Sequence, residues 1–149
     1  MKIRLAELED IDKIVKLGNN VDEFKVSEKV VSFWPKKVIE SCINSKNEII
    51  IISEVEEQII GFLIVNYNPT FSKAVFENVF VIEEFRNKGI AKKMLDLATK
   101  KLKENNCKYI CSLVDINDNQ GIGFYLKSGF NKGIDCVWLD KILDDDFKE

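Results

Sequence analysis

The sequence of 149 residues contains no histidine. That excludes a Ser-His-Asp or Cys-His triad, an imidazole general base and any His-ligated metal. Proline is scarce, Pro35 and Pro69 being the only two, and no Ser/Gly-rich stretch interrupts the chain. A single domain over residues 1–149 is therefore expected. No apolar run is long enough to cross a bilayer, and Met1-Lys2-Ile3-Arg4 lacks the apolar stretch of a secretory leader. A cytoplasmic protein with no membrane partner is the expectation. No charge sign dominates either: 22 basic against 25 acidic residues give a net charge of −3, which argues against nucleic acid as a partner. Cys42, Cys107, Cys111 and Cys136 form no C-x-x-C pair, so neither a zinc ribbon nor a redox dithiol is suggested, and no metal is expected. Cys107 and Cys111 read as buried small apolar residues.

Catalysis in such a chain must run on carboxylates, tyrosine, lysine, cysteine, backbone amides or a cofactor. Hydrophobic residues make up 46% of the sequence, enough for a core without disulfides. A short strand is expected around Ile3 to Ala6, then a helix with Ile11, Ile14, Val15 and Leu17 on one side. A second helix follows Trp34-Pro35. Ile49 to Ile52 and Ile59 to Val65 read as a hairpin turning at Glu56-Glu57, and Ala74 to Ile82 as a third strand. These strands are apolar on both sides, so helices should cover both faces of the sheet. The longest helix runs from about Lys88 to Asn105, striped by Ala91, Leu95, Ala98 and Leu102. Tyr109 to Val114 is a further strand, and Gly121 to Ser128 a short helix ended by Gly129-Phe130 in a Schellman-type stop. Val137, Trp138 and Leu139 suggest one or two last strands, with Asp144 to Asp146 as a solvated tail. The order implies an α/β (α+β) fold with a mixed sheet, antiparallel first and parallel across the long helix.

The segment from Val79 to Ala91 carries the chemistry. It leaves a buried strand, turns, and enters the long helix. A helix N-terminus offers unpaired N–H groups and the positive end of the helix dipole, so it can hold a phosphate. Gly89 and Ala91 leave room for an anion, while Arg86, Lys88, Lys92 and Lys93 add positive charge. On these residues alone, a plain connection with a loop glycine and solvated lysines fits as well. The sequence has no G-x-x-x-x-G-K-S/T and no G-x-G-x-x-G, which argues against a nucleotide triphosphatase or a Rossmann dehydrogenase.

Arg86-x-x-Gly89-x-Ala91, preceded by Val79-Phe80-Val81, resembles the Q/R-x-x-G-x-G/A signature of the GNAT N-acetyltransferase superfamily. Ile3-Arg4 with Glu9-Asp10-Ile11 resembles the family's opening strand and helix. Asp118 to Phe130, with Tyr125 and Gly129-Phe130, resembles its second motif, N-x-x-A-x-x-x-Y-x-x-x-G-F. Glu83 stands where the family usually has proline, Asp118 where it has asparagine, and Gly121 where it has alanine. The resemblance implies a splayed, V-shaped sheet with acetyl-CoA as cosubstrate in the gap. Backbone groups of the Val79-Phe80-Val81 segment, chiefly Val79 and Val81, would bond the pantetheine arm. The N–H groups of Arg86, Asn87, Lys88, Gly89, Ile90 and Ala91 would hold the pyrophosphate. Asp118 or Asn119 would take the place of the family's asparagine contact.

By the same resemblance Tyr125 is the acid that protonates the leaving thiolate. A core tyrosine is the plainer alternative. Glu77 is the candidate base, acting through water, because two residues along a strand from Val79 should share its face. Glu77-Asn78-Val79-Phe80-Val81 also resembles the equivalent strand of small-amine acetyltransferases; an ion-paired strand carboxylate explains it equally well. The oxyanion donor would be the Val81 N–H. The expected activity is transfer of an acetyl group to a primary amine, a small cationic amine being favoured. A protein N-terminal amine, a non-catalytic acyl-CoA sensor and a ligand-free structural domain are the alternatives. Homodimers are common in the family.

Overall fold

A continuous β-branched run, Ile49 to Ile52, forms the middle of a strand that both faces of the molecule bury. The computed structural model describes residues 1–24 and 33–144. In chain order they form β1 (Lys2–Leu5), α1 (Ile11–Asn19), α2 (Lys36–Asn44), β2 (Glu48–Val55), β3 (Gln58–Asn68) and β4 (Lys73–Val81). These are followed by α3 (Ile90–Glu104), β5 (Tyr109–Ser112) and α4 (Asn119–Lys127). The five strands lie in sequence order, antiparallel from β1 to β4 and parallel between β4 and β5. This is the mixed sheet expected from the pattern, because only the β4–α3–β5 passage contains a crossover helix.

Two apolar layers hold the sheet. On one face Ile51, Leu63, Val65 and Phe76 pack against Ile90, Met94, Leu95, Ala98 and Leu102 of α3. On the other Ile50, Ile52, Phe62 and Ile64 meet Ile14 and Ile39 of α1 and α2, with Phe33 beside them. Each large side chain buried this way contributes roughly 1.5–3 kcal/mol, so Phe62→Ala or Phe76→Ala should cost about 3–5 kcal/mol.

Local signals explain the turns. Glu56 and Glu57 both take positive φ, 49° and 63°, the type I′ geometry that matches the twist of a tight hairpin. At the end of α4 the Phe130 N–H donates to Tyr125 O and the Gly129 N–H to Leu126 O, with Gly129 at φ 92°. That is the Schellman stop. Near the N-terminus the Arg4 guanidinium holds Asp10 through two bonds of 2.7 and 3.0 Å and Glu54 through one of 2.9 Å. Asp10, only 4% exposed, also accepts the Glu7 N–H, so one cluster ties β1, β2 and the entry to α1.

Some expectations do not hold. β5 ends at Ser112 rather than Val114, and residues 131–144 form no strand although Val137-Trp138-Leu139 suggested one. Ile134, Val137, Leu139 and Leu143 stand in solvent, 82–88% exposed. Cys107 and Cys111 are half-buried rather than buried, and Cys42, Cys107, Cys111 and Cys136 are all free thiols. Of the expected acidic tail, Asp145 and Asp146 lie outside the described residues. Among the described residues no helix is long and apolar enough to cross a membrane.

Candidate functional site

Strands β4 and β5 pair from Lys73–Tyr109 to Phe76–Ser112 and then part. The reason lies on the other side of β4. Val65 of β3 faces Phe76 and Ile64 faces Asn78, so Glu77 is a surplus residue, a β-bulge. Bulges bend a strand and sharpen its twist. Here the bend falls where β5 ends, and the two strands open as a V, as the family resemblance implied.

The backbone of β4 beyond the bulge lines this fork. The Ile82 N–H donates to Ile60 O at 2.8 Å, so Ile82 and Phe80 direct their backbone groups to β3. Backbone direction alternates along a strand, which turns Val79 and Val81 away from β3 and into the fork. Phe80 is thereby removed from the candidate contacts: its backbone belongs to the β3 ladder. Its ring joins Phe24 and Phe62 in the core. Arg86 folds back to donate from Nε to Val81 O at 2.8 Å, with its guanidinium 5.6 Å from the Phe80 ring. Val81 therefore presents its N–H to the fork with its carbonyl already satisfied.

The start of α3 stands beside the open end of β4. The chain enters it through two left-handed residues, Asn87 at φ 59° and Gly89 at φ 74°. The first helical bond runs from the Lys93 N–H to Gly89 O, which leaves the amides of Ile90, Ala91 and Lys92 without helical acceptors. Space around Gly89 is open, for a Cβ there would meet no atom within 4 Å. The amide of Arg86 is spent, since it donates to Glu83 O, so the anion-binding run starts after it. Nor are all the lysines equally available. Lys92 pairs with Asp96, and Lys88 lies 5.1 Å from the Phe85 ring.

On the β5 side, Ser112 Oγ lies 2.9 Å from both Phe76 O and Tyr125 Oη. A serine hydroxyl has one proton, and a carbonyl only accepts. With Ser112 donating to Phe76, the Tyr125 hydroxyl donates to Ser112. Burial pushes the Tyr125 phenol up, and the bond with Ser112 pulls it partly back. Phe124 and Phe130 hold the ring edge-on at 5.3 and 5.0 Å. Ser112 escaped the sequence reading because a lone serine in a short strand carries no signal until β4 and α4 are placed around it.

Glu77 needs a correction. The bulge breaks the alternation on which its shared face with Val79 rested. Ala74 and Phe76 before the bulge, and Val79 and Val81 after it, all pack toward α3. Glu77 lies instead within electrostatic reach of Cys42 on α2, and its neighbour Asn78 accepts a 2.8 Å bond from Trp34 Nε1. The carboxylate thus lies on the α1–α2 side of the sheet. It is exposed at the surface, yet enough protein surrounds it that desolvation pushes its pKa above the usual carboxylate value.

At the start of α4, Asp118 caps the helix by accepting the Gly121 N–H at 2.8 Å. A Cβ at residue 121 would lie 2.2 Å from Asp118 Oδ2, so glycine at 121 accompanies the aspartate cap. Asp118 is committed to this structural bond, and the Asn119 N–H donates to Asn117 O. A surface hollow of about 410 Å³ lies on the outer side of α3 by Asp96, Thr99 and Lys103. It is remote from the fork and holds none of these groups. Of the aromatic side chains outside the fork, Phe33 and Tyr67 are core and Phe71 is exposed.

The fork at the bulge, the outward backbone groups of β4, the glycine-led start of α3 and Tyr125 thus meet where β4 and β5 part. The model of the Acetyltransferase (GNAT) family matches residues 19–130, and the chain belongs to that family. It is 26% identical over 148 residues to an acetyltransferase of Pectobacterium atrosepticum, a match covering 98% of each chain. Its fold is similar to that of an aminoglycoside acetyltransferase from an uncultured soil metagenomic sample, crystallised with trehalose. That likeness has a TM-score of 0.79 at 18% identity and covers 96% of each chain. An aminoglycoside N-acetyltransferase solved in complex with CoA superposes with a TM-score of 0.72 at 15% identity, covering 95% of this chain and 99% of that one.

Proposed function

We propose that this one-domain enzyme transfers an acetyl group from acetyl-CoA to a primary amine by direct attack on the thioester. The observation that carries this reading is the fork. Val79 and Val81 offer backbone groups there, the free amides of α3 follow on one side, and Tyr125 closes the other. The solved relative holding CoA supports the choice of donor.

The residues divide the work as follows. Unpaired amides from Asn87 to Ala91 would bind the pyrophosphate, helped by the helix dipole. Val79 would hydrogen-bond the pantetheine arm. The Val81 N–H, whose carbonyl is engaged by Arg86, would meet charge developing on the thioester oxygen. Glu77, through a water, would take the proton that the attacking ammonium must lose, since an alkylamine has a pKa of about 10.4. The new C–N bond forms as the C–S bond breaks, and Tyr125 passes its proton to the departing sulfur. Ser112 then can turn its own proton from Phe76 O to the tyrosinate, which makes Ser112 a positioning residue.

A small cationic amine is the favoured acceptor, because the approach from the α1–α2 side passes Glu77, whose carboxylate would attract a cation. The aminoglycoside acetyltransferases among the structural relatives act on amines of this class. The test is thiol release from acetyl-CoA against polyamines, aminoglycosides, amino acids and N-terminal peptides. Turnover with cationic small amines is expected. Turnover confined to peptides would shift the acceptor to protein N-termini, and CoA binding with no turnover would make the chain an acyl-CoA sensor.

A further inference from the structure

The β-bulge at Glu77 has a second effect, on the side of the sheet away from α3. An extra residue breaks the alternation of faces, so Glu77 and Asn78 lie on the same side. Glu77 is within electrostatic reach of Cys42, Asn78 Oδ1 accepts from Trp34 Nε1 at 2.8 Å, and Phe80 joins the rings of Phe24 and Phe62. Trp34 stands just ahead of α2. That one bond ties its indole to the residue next to the candidate base.

The bond leaves the indole a single means of recognition. Its only donor is spent on Asn78, and indole has no acceptor nitrogen. What remains is the ring face. Trp34 packs on the α1–α2 core with part of its side chain and keeps the rest in solvent. Among aromatic side chains indole attracts a cation most strongly. Three other rings, on β4, on β5 and in the turn into α3, receive cations from the chain itself. Arg86 lies 5.6 Å from Phe80, Lys88 5.1 Å from Phe85 and Lys73 6.0 Å from Tyr109. Trp34 receives none from the described residues, and Lys36, two residues on, turns to Asp12 at 2.6 Å.

We propose, resting on the transferase reading above, that the Trp34 ring face binds a second, non-reacting ammonium of the acceptor, so that the enzyme selects diamines over monoamines. Chemistry separates the two nitrogens. The attacking nitrogen must give up its proton and become neutral, which suits it to Glu77 and not to a ring face. An indole holds only a nitrogen that stays charged through turnover. An acceptor engaged by both residues therefore carries two amines on one small molecule, as an α,ω-diaminoalkane does. The ring meets the same charge before and during acetyl transfer, so its contribution falls in KM rather than in kcat.

The test compares thiol release from acetyl-CoA for α,ω-diaminoalkanes and for the alkylamines in which methyl replaces the second ammonium. The diamines should be favoured roughly tenfold in kcat/KM, the scale of a partly desolvated cation–π contact. Trp34→Leu should abolish this preference through KM for the diamine, and Trp34→Phe, which keeps a ring, should retain part of it. Should neither variant fold, the wild type decides, with a diamine trimethylated on one nitrogen. Trimethylation removes every N–H from that nitrogen but keeps its charge, so the preference should persist. Its loss would assign the second nitrogen to a carboxylate or a hydrogen bond and overturn the proposal. Equal kcat/KM for diamines and alkylamines overturns it too, while leaving acetyl transfer to amines intact. Thiol release with no amine of the set overturns the transferase reading, and this inference with it.

Discussion

Tyr125 Oη and Ser112 Oγ lie 2.9 Å apart at the point where β4 and β5 separate, and Ser112 reaches Phe76 O at the same distance. The last paired residues of the fork therefore hold the phenol in place. Tyr125→Phe should reduce kcat for thiol release by about 10²-fold with little change in KM, the usual scale for losing one general acid. Ser112→Ala removes a bond that lowers the phenol pKa, so the alkaline limb of the kcat profile should move to higher pH while kcat falls several-fold. Ser112→Thr keeps the hydroxyl and should restore the limb. Steady-state kinetics across alkaline pH decide this; an unmoved limb in Ser112→Ala would remove Ser112 from the mechanism.

Glu77 supplies a test on the acid side. Burial raises its pKa, and a base works only when deprotonated. Activity of the wild type should therefore fall as pH drops through a value above the usual carboxylate range. Glu77→Gln should lower kcat/KM and abolish that acid limb. If the acid limb survives unchanged in the glutamine variant, proton removal occurs elsewhere.

Gly89 combines a left-handed backbone with open space. Gly89→Ala should cost about 1–2 kcal/mol of stability from the φ alone. Gly89→Glu adds bulk and negative charge where phosphate would bind, and should weaken CoA binding at least tenfold by calorimetry. Equal CoA affinity in the two variants would contradict the phosphate-cradle assignment.

The Arg4 cluster predicts how stability depends on pH. Burial by itself would raise the Asp10 pKa, but bonds from Arg4 and the Glu7 amide bring it below its ordinary value. The Arg4 bond does the same for Glu54. Both carboxyls are thus more acidic folded than unfolded. Their contribution is present above the unfolded carboxylate pKa, about 4, and is lost as pH falls through the lower folded values. Arg4→Met should cost roughly 2–3 kcal/mol near neutral pH, with a smaller difference from wild type in acid. Urea melts at neutral and acidic pH measure both.

Much of the architecture was legible because it rests on local pattern. The stripe on α3, the Glu56-Glu57 hairpin and the Gly129-Phe130 stop each follow from residues close in sequence. The bulge at Glu77 was not, because a bulge is defined by what lies opposite it on another strand. Missing it placed Glu77 on the wrong face. The role of Ser112 and the withdrawal of the Arg86 amide were hidden for the same reason: each depends on a partner fixed only by the folded chain. The strand expected at Val137 to Leu139 read a real propensity, but propensity supplies no pairing partner.

The surplus residue at 77 makes the cleft depend on a count. Glu77→Gln would keep the strands apart and lose only a carboxylate. Deleting Glu77 would leave Tyr125, Ser112 and Gly89 untouched. It would, however, restore plain two-residue periodicity and let β4 continue alongside whatever follows Ser112. The slot would zip shut with Tyr125, Ser112 and the α3 amides still present. For this strand, gain or loss of one residue is a graver change than exchange of any one side chain.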